Sequence, residues 1–123
     1  MSEANPLAWK KIDCVLLPVD DLDRGVAAYT AAFGLVERWR DGSSVALGMP
    51  GTDAELVLHT LDIPRDFGVH YLVDDARAAA PTGFAVEVPP FPVAIGWCAV
   101  FRDPFGNPVC VIDMSAGPRA AKG

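Results

Sequence analysis

The chain is short of positive charge. Its 123 residues carry 10 Lys and Arg against 16 Asp and Glu, a formal net charge of −6, and no basic run is longer than Lys10-Lys11. A nucleic acid or an anionic membrane is recognised through a basic patch or stripe, so neither is an expected partner. Long apolar runs are missing as well: the longest are strand-sized, well short of the ~20 residues that cross a bilayer. The opening Met1-Ser2-Glu3-Ala4-Asn5 has no basic region followed by an apolar stretch, so no secretory signal is read and a cytoplasmic location is expected. Cysteine is scarce too. Cys14, Cys98 and Cys110 are odd in number, widely spaced and without a Cys-x-x-Cys pair, which fits reduced thiols better than a disulfide framework.

What is present is apolar: 51% of the residues are hydrophobic, enough to give one compact domain a core. Residues 11–19 read as a strand. Asp20-Asp21 then cap a helix that carries Leu22, Val26, Tyr29 and Phe33 on one face and stops at Gly34. Short strands follow near Val36–Arg40, Ser44–Gly48 and Glu55–Thr60, separated by the turn chemistry of Asp41-Gly42 and Pro50-Gly51.

The second half repeats this order. A strand over Gly68–Val73 ends in Val73-Asp74-Asp75 and leads into Ala76-Arg77-Ala78-Ala79-Ala80, as Val19-Asp20-Asp21 leads into the first helix. Gly83 followed by Val86-Glu87 answers Gly34 followed by Val36-Glu37, but the stretch between landmarks is five residues shorter, so the second helix should be stunted. Strands near Phe84–Val88, Trp97–Arg102 and Pro108–Asp113 complete the copy. Module one runs from about 11 to 61, module two from about 67 to 114, and 115–123 reads as a flexible tail of a single 1–123 domain. Duplication matters because each module alone exposes a sheet face that another element must cover.

Two stretches carry a resemblance. Val19-Asp20-Asp21-Leu22-Asp23-Arg24-Gly25-Val26-Ala27-Ala28-Tyr29, with Phe33-Gly34-Leu35 after it, resembles the opening helix of the vicinal oxygen chelate superfamily and the Gly-Leu that ends it. Phe101-Arg102-Asp103-Pro104-Phe105-Gly106-Asn107-Pro108 resembles the Asp-Pro-x-Gly-Asn turn before that superfamily's last strand. The resemblance to these glyoxalases, bleomycin-resistance proteins and extradiol dioxygenases covers nearly the whole chain. It implies an α+β fold of two tandem βαβββ modules, forming curved mixed sheets around a pocket, and a homodimer.

Metal-dependent members of that superfamily hold their ion with a His in the first strand, a Glu in the fourth, a His or similar ligand in the fifth and a Glu in the eighth. The matching positions here are Cys14, Val57, Gly68 and Cys110. None is the expected residue, and Val and Gly side chains supply no ligand atom, so no metal or other cofactor is expected. The resemblance is nearest to the metal-free, bleomycin-resistance-like branch.

Strand alternation puts Cys14, Leu16 and Pro18 on one face and Val15, Leu17 and Val19 on the face that meets the helix. The same parity joins His59 to Val57, joins His70 to Leu72, and sets Ile112 beside Cys110. Cys14, Leu16, His59, His70, Leu72, Cys110 and Ile112 are therefore candidate pocket residues, the histidines as hydrogen-bond donors or as acid and base near neutral pH. The plain alternative is that each histidine is a satisfied strand residue. Cys14, Cys110, His59 and His70 together would also make a ligand set suited to zinc, although the spacing has no metal-motif signature and buried cysteine is more often a small hydrophobe. Trp39, Phe91, Trp97 and Phe101 add flat rings that suit a planar or apolar guest, with core packing as the alternative. Trp9, ahead of the first strand, suits a dimer contact.

The leading expectation is a metal-free protein that binds a drug-like or aromatic small molecule. The competing one is a lyase or dioxygenase-like enzyme with a rearranged metal site or metal-free acid–base chemistry at His70, and a third is an interaction scaffold.

Overall fold

The structure is a computed structural model and describes residues 9–78 and 81–117. These form two compact units, one of residues 13–68 and one of residues 9–12 with 69–117, here called the N-terminal and C-terminal units. The class is α+β with mixed strand pairing. No helix among the described residues is long and apolar enough to cross a membrane.

The N-terminal unit follows the period-two pattern closely. β1 (Lys11–Pro18) pairs in parallel with β4 (Glu55–His59), β4 pairs antiparallel with β3 (Ser44–Gly48), and β3 with β2 (Val36–Arg40), in the order β2-β3-β4-β1. One face of this sheet carries Leu17, Val19, Val45, Leu47, Leu56 and Leu58, and against it lies α1 (Leu22–Phe33) with Leu22, Val26 and Tyr29. Val45, Leu47 and Leu58 are fully buried, and each contributes roughly 1.5–3 kcal/mol over an exposed position.

The expected cap is in place: the Asp21 carboxylate accepts the Arg24 N–H at 2.9 Å, satisfying one donor that the first turn leaves open. Gly34 ends the helix at φ 69° and donates its N–H to Thr30 O. Gly25 lets the helix sit close on the sheet, since a Cβ there would stand 3.0 Å from Leu58 Cδ1. Phe33, expected on the buried face, is 69% exposed. It is the last helical residue, outside the apolar cluster, and its ring leans on Tyr29.

The C-terminal unit repeats the strand order. β5 (Val69–Leu72) pairs in parallel with β8 (Pro108–Ile112), which pairs antiparallel with β7 (Gly96–Arg102), which pairs with β6 (Ala85–Val93), in the order β5-β8-β7-β6. Among the described residues the helix does not repeat. Ala76–Ala78 form a turn in which Asp75 Oδ1 accepts the Arg77 N–H and Asp75 O accepts the Ala78 N–H, so Asp75 caps a turn rather than the stunted helix expected. Ala79 and Ala80 lie outside the described residues. The five-residue shortfall accounts for this: the five residues between Asp75 and Pro81 span only about one and a half helical turns, and proline disfavours helical geometry in the residue ahead of it.

Pro89-Pro90-Phe91-Pro92, expected as a segment after a shorter strand, continues β6 itself, with register shifts between Val86 and Val88 and between Val88 and Phe91. An edge strand tolerates prolines because its outer N–H groups have no ladder partner to lose. The Asp-Pro-Phe-Gly-Asn stretch is the turn expected. Asp103 accepts the N–H groups of Phe105 and Asn107, and Gly106 takes φ 87°.

A buried carboxylate organises the helix-free turn. Asp113 is fully buried, its Oδ2 accepting the Ala76 N–H at 2.7 Å and its Oδ1 accepting from Trp97 N, Ser115 N and Ser115 Oγ. Burial alone would raise its pKa, but these hydrogen bonds together outweigh it and hold the carboxyl below the ordinary aspartate range. Gly96 leaves the room, since a Cβ there would overlap Asp113 Oδ1. Ser115–Gly117, assigned to the tail from sequence, are thus tied down: besides Ser115, Ala116 N donates to Ile95 O and Gly117 N to Met114 O. Residues 118–123 lie outside the described residues.

Asp113→Ala leaves buried donors at Ala76 and Trp97 without an acceptor and is expected to cost roughly 3 kcal/mol or more. Asp113→Asn, which keeps one acceptor oxygen, should fall between. Urea unfolding midpoints of both variants against wild type check the order.

Candidate functional site

The face of the N-terminal sheet opposite α1 is built by strict alternation. β1 contributes Cys14, Leu16 and Pro18, and their register partners on β4 are Glu55, Val57 and His59. On β3, Ser44, Ala46 and Gly48 stand beside His59, Val57 and Glu55, and Trp39 of β2 stands beside Ala46. Cys14, Ala46 and Val57 are buried here, with Leu16 and Trp39 packed against them. Three expected site residues, Cys14, Leu16 and Trp39, are therefore brought together, and His59 shares their face one pleat beyond Val57.

The polar groups of this face are few and ordered. Trp39 Nε1–H donates to Glu55 Oε1 at 2.9 Å. A bulge between Glu37 and Trp39 swings Arg38 over Gly48, where any side chain would collide with the guanidinium. Arg38 donates to the carbonyls of Thr52 and Asp53 and stands 4.0 Å from Glu55 Oε2. Glu55 is thus a carboxylate held by an indole N–H on one oxygen and faced by a guanidinium on the other. Sequence reasoning passed over it, although one signal was available: two residues before Val57, it shares Val57's parity.

His59 is buried, and its Nδ1 accepts the Leu61 N–H at 3.1 Å. A backbone N–H can only donate, so the neutral ring carries its proton on Nε2 and offers that N–H as a donor. Burial pushes its pKa below the ordinary imidazole value, and protonation at Nδ1 would also break the Leu61 bond.

The C-terminal unit has the matching face. His70 and Leu72 of β5 are partnered by Cys110 and Ile112 of β8, with Val100 and Cys98 of β7 next and Phe91 of β6 beside Cys98. Leu72, Cys98 and Ile112 form its buried centre, with Val93 and Ile95 against them. Trp97 and Phe101 take the opposite parity. They pack with Val73, Ala76, Ala99 and Val111, and Arg77 lies 4.9 Å over the Trp97 ring. The cysteines are buried thiols, none in a disulfide.

Of the positions that the sequence resemblance matched to metal ligands, Cys14 and Cys110 carry thiols, Val57 an isopropyl group and Gly68 a hydrogen. Among the described residues no group of three or more His, Cys, Asp or Glu is placed to hold a metal ion. The residues present do not fit a metal of the family type.

No family model matches the sequence, and neither does any curated protein. Solved structures do match the fold. Methylmalonyl-CoA epimerase from Mycobacterium tuberculosis is 18% identical, with a TM-score of 0.62 over 87% of this chain and 89% of that one. The Streptomyces coelicolor methylmalonyl-CoA epimerase in complex with 2-nitronate-propionyl-CoA is 19% identical, with a TM-score of 0.62 over 89% of this chain and 100% of that one. A hypothetical protein from Bacillus halodurans is 14% identical, with a TM-score of 0.65 over 92% and 98%. The chain has the fold of the vicinal oxygen chelate superfamily, which includes these epimerases. At such identities the likeness is one of fold.

The depressed pKa of His59 makes the unfolded chain bind its proton first. Stability attributable to His59 is therefore complete above the ordinary histidine value of about 6.5 and declines as pH falls below it, down to the folded pKa, by at most about 1.4 kcal/mol per pH unit. Replacing the ring in His59→Gln should flatten the difference between unfolding free energies measured at pH 7 and pH 5.

Proposed function

We propose that this chain is a metal-free binder of small aromatic, drug-like molecules carrying a basic nitrogen, working as a homodimer in a reducing cytoplasm. The observation that carries the reading is the N-terminal face: an apolar floor of Cys14, Leu16, Ala46 and Val57, with the Trp39 ring at one side and Glu55 and His59 as its polar groups. A few placed polar groups on an apolar, aromatic surface are the usual composition of a small-molecule site.

Each group has a defined part in this reading. Trp39 supplies a flat surface, fixed by its bond to Glu55, on which a planar guest stacks. Glu55 keeps acceptor capacity beyond its bond from Trp39, because an ionised carboxylate has about four lone-pair sites. It answers a guest ammonium or amidinium. His59 Nε2–H answers an acceptor oxygen on the guest, and being neutral it does not repel a cation. The net charge of −6 favours encounter with a cation at low salt. The fold likeness adds that related structures, the epimerases, take up a ligand.

One enzymatic alternative, a metal held by Cys14, Cys110, His59 and His70, gains no three-ligand group among the described residues.

A thermal-shift and calorimetric screen of planar cations such as proflavine, set against neutral and anionic compounds of the same shape, tests the reading. Planar cations should raise the melting temperature, as any ligand of the folded state alone does. Glu55→Gln should weaken their binding about tenfold, roughly 1.4 kcal/mol, and Trp39→Leu should weaken neutral and cationic guests alike. Equal binding of cations by wild type and Glu55→Gln would sink the proposal, as would near-stoichiometric metal in protein purified without chelator. Light scattering on the same samples decides the dimer.

A further inference from the structure

We infer that the C-terminal unit carries a binding site of its own, for a neutral one- or two-ring aromatic molecule, in a cavity on the sheet face where its module has no helix among the described residues. The site is independent of the reading above: it uses the opposite parity of β7 and β8 from the face that carries His70 and Cys110.

The cavity follows from the uneven duplication. In the N-terminal unit the helix-bearing face of the sheet is filled by Leu22, Val26 and Tyr29 of α1. In the C-terminal unit the corresponding face presents Val73, Ala99, Phe101, Val109 and Val111, and the turn that stands in for a helix brings Ala76 to it. Trp9, Pro81 and Phe84 cover part of the rest. Between these three and Phe101, Val109 and Val111 lies a cavity of about 220 Å³, partly open to solvent on the side of Trp9, which is 55% exposed.

Its walls select the guest. Among the described residues the six lining side chains are apolar or aromatic, and the Trp9 indole N–H is the one hydrogen-bonding group any of them owns. A buried water wants two to four polar partners, so these side chains suit water poorly, whereas an apolar cavity of about 150 Å³ takes up a benzene ring. The larger volume here suits one or two fused rings. Phe84, Phe101 and Trp9 offer edges and faces to an aromatic guest that an aliphatic one cannot use as well. No lining residue among those described is charged, and burying a charge without a partner is costly, so the guest is neutral.

The Trp9 wall is already in position. Its ring is stacked on Tyr71 with centroids 3.7 Å apart and planes 3° from parallel. The next residue is anchored twice, Lys10 N donating to Leu72 O at 2.8 Å and Lys10 Nζ pairing with Asp74 at 2.7 Å. A preformed wall spares a guest the entropy of ordering it.

Titration of the full-length chain with 1-fluoronaphthalene, followed by ¹⁹F NMR and by thermal shift, tests the site. The expected result is saturable one-to-one binding that Val109→Phe, which fills the cavity from its floor, weakens at least tenfold. Trp9→Ala, at an exposed position where the fold is not at stake, should weaken it similarly, and Glu55→Gln should leave it unchanged. Absence of saturable binding to the folded wild type overturns the inference. So does binding that survives both cavity variants, binding lost in Glu55→Gln, or equal affinity for the anion 1-naphthoate.

Discussion

A β-strand sends alternate side chains to opposite sides, so a sheet of Val-, Leu- and Ala-rich strands presents two apolar faces at once. Neither face is stable against water, and a four-stranded sheet cannot cover itself. In the N-terminal unit α1 meets one of these demands, and its own design serves that end: a capped start at Asp21, a glycine at position 25 where the helix comes nearest the sheet, and a left-handed stop at Gly34. Covering one face commits the other, with Cys14, Val57 and His59, to whatever function the unit has. Parity therefore ties the site to the core, and a slip of one residue in β4 would exchange Val57 and His59 for Leu56 and Leu58.

The C-terminal unit has the same demand with a shorter segment to meet it. Too few residues separate Val73 from Pro81 for a stable helix, so the backbone groups that a helix would satisfy internally need another partner. Asp113 provides it, taking the Ala76 N–H directly and binding the start of β7 with its other oxygen. Its burial is tolerable because four donors surround it. The corresponding position in the first module is Thr60, exposed and joined to Ser43 through its backbone. A buried ionised carboxylate in one copy and a surface threonine in the other mark where the two modules solved the same problem differently.

Much of this was legible in the sequence. The succession of strands along the chain, the α1 cap, the Asp103 turn and the split between Cys14 and Val15 faces all follow from local rules: period two, capping chemistry, and positions where glycine takes positive φ. The features that escaped are those in which distant segments decide. Trp97 and Phe101 were grouped with the pocket candidates by residue type, yet their register against β8 places them with Val111 and away from Cys110. β6 runs through three prolines because it is an edge strand, which composition alone does not reveal. Arg38 reaches Gly48 through a bulge, and a bulge inverts the parity on which the reading of β2 rests.

Glu55 gives the apolar face of the N-terminal unit its charge. On the face that carries Cys14 and Val57, Glu55 is a carboxylate with two defined neighbours. Trp39 spends its indole proton there, and Arg38 approaches without closing a tight pair, at 4.0 Å. A carboxylate so placed stays oriented, retains free lone pairs, and sits beside a ring able to stack. Under the proposed function, the guest's own positive charge is what answers this carboxylate.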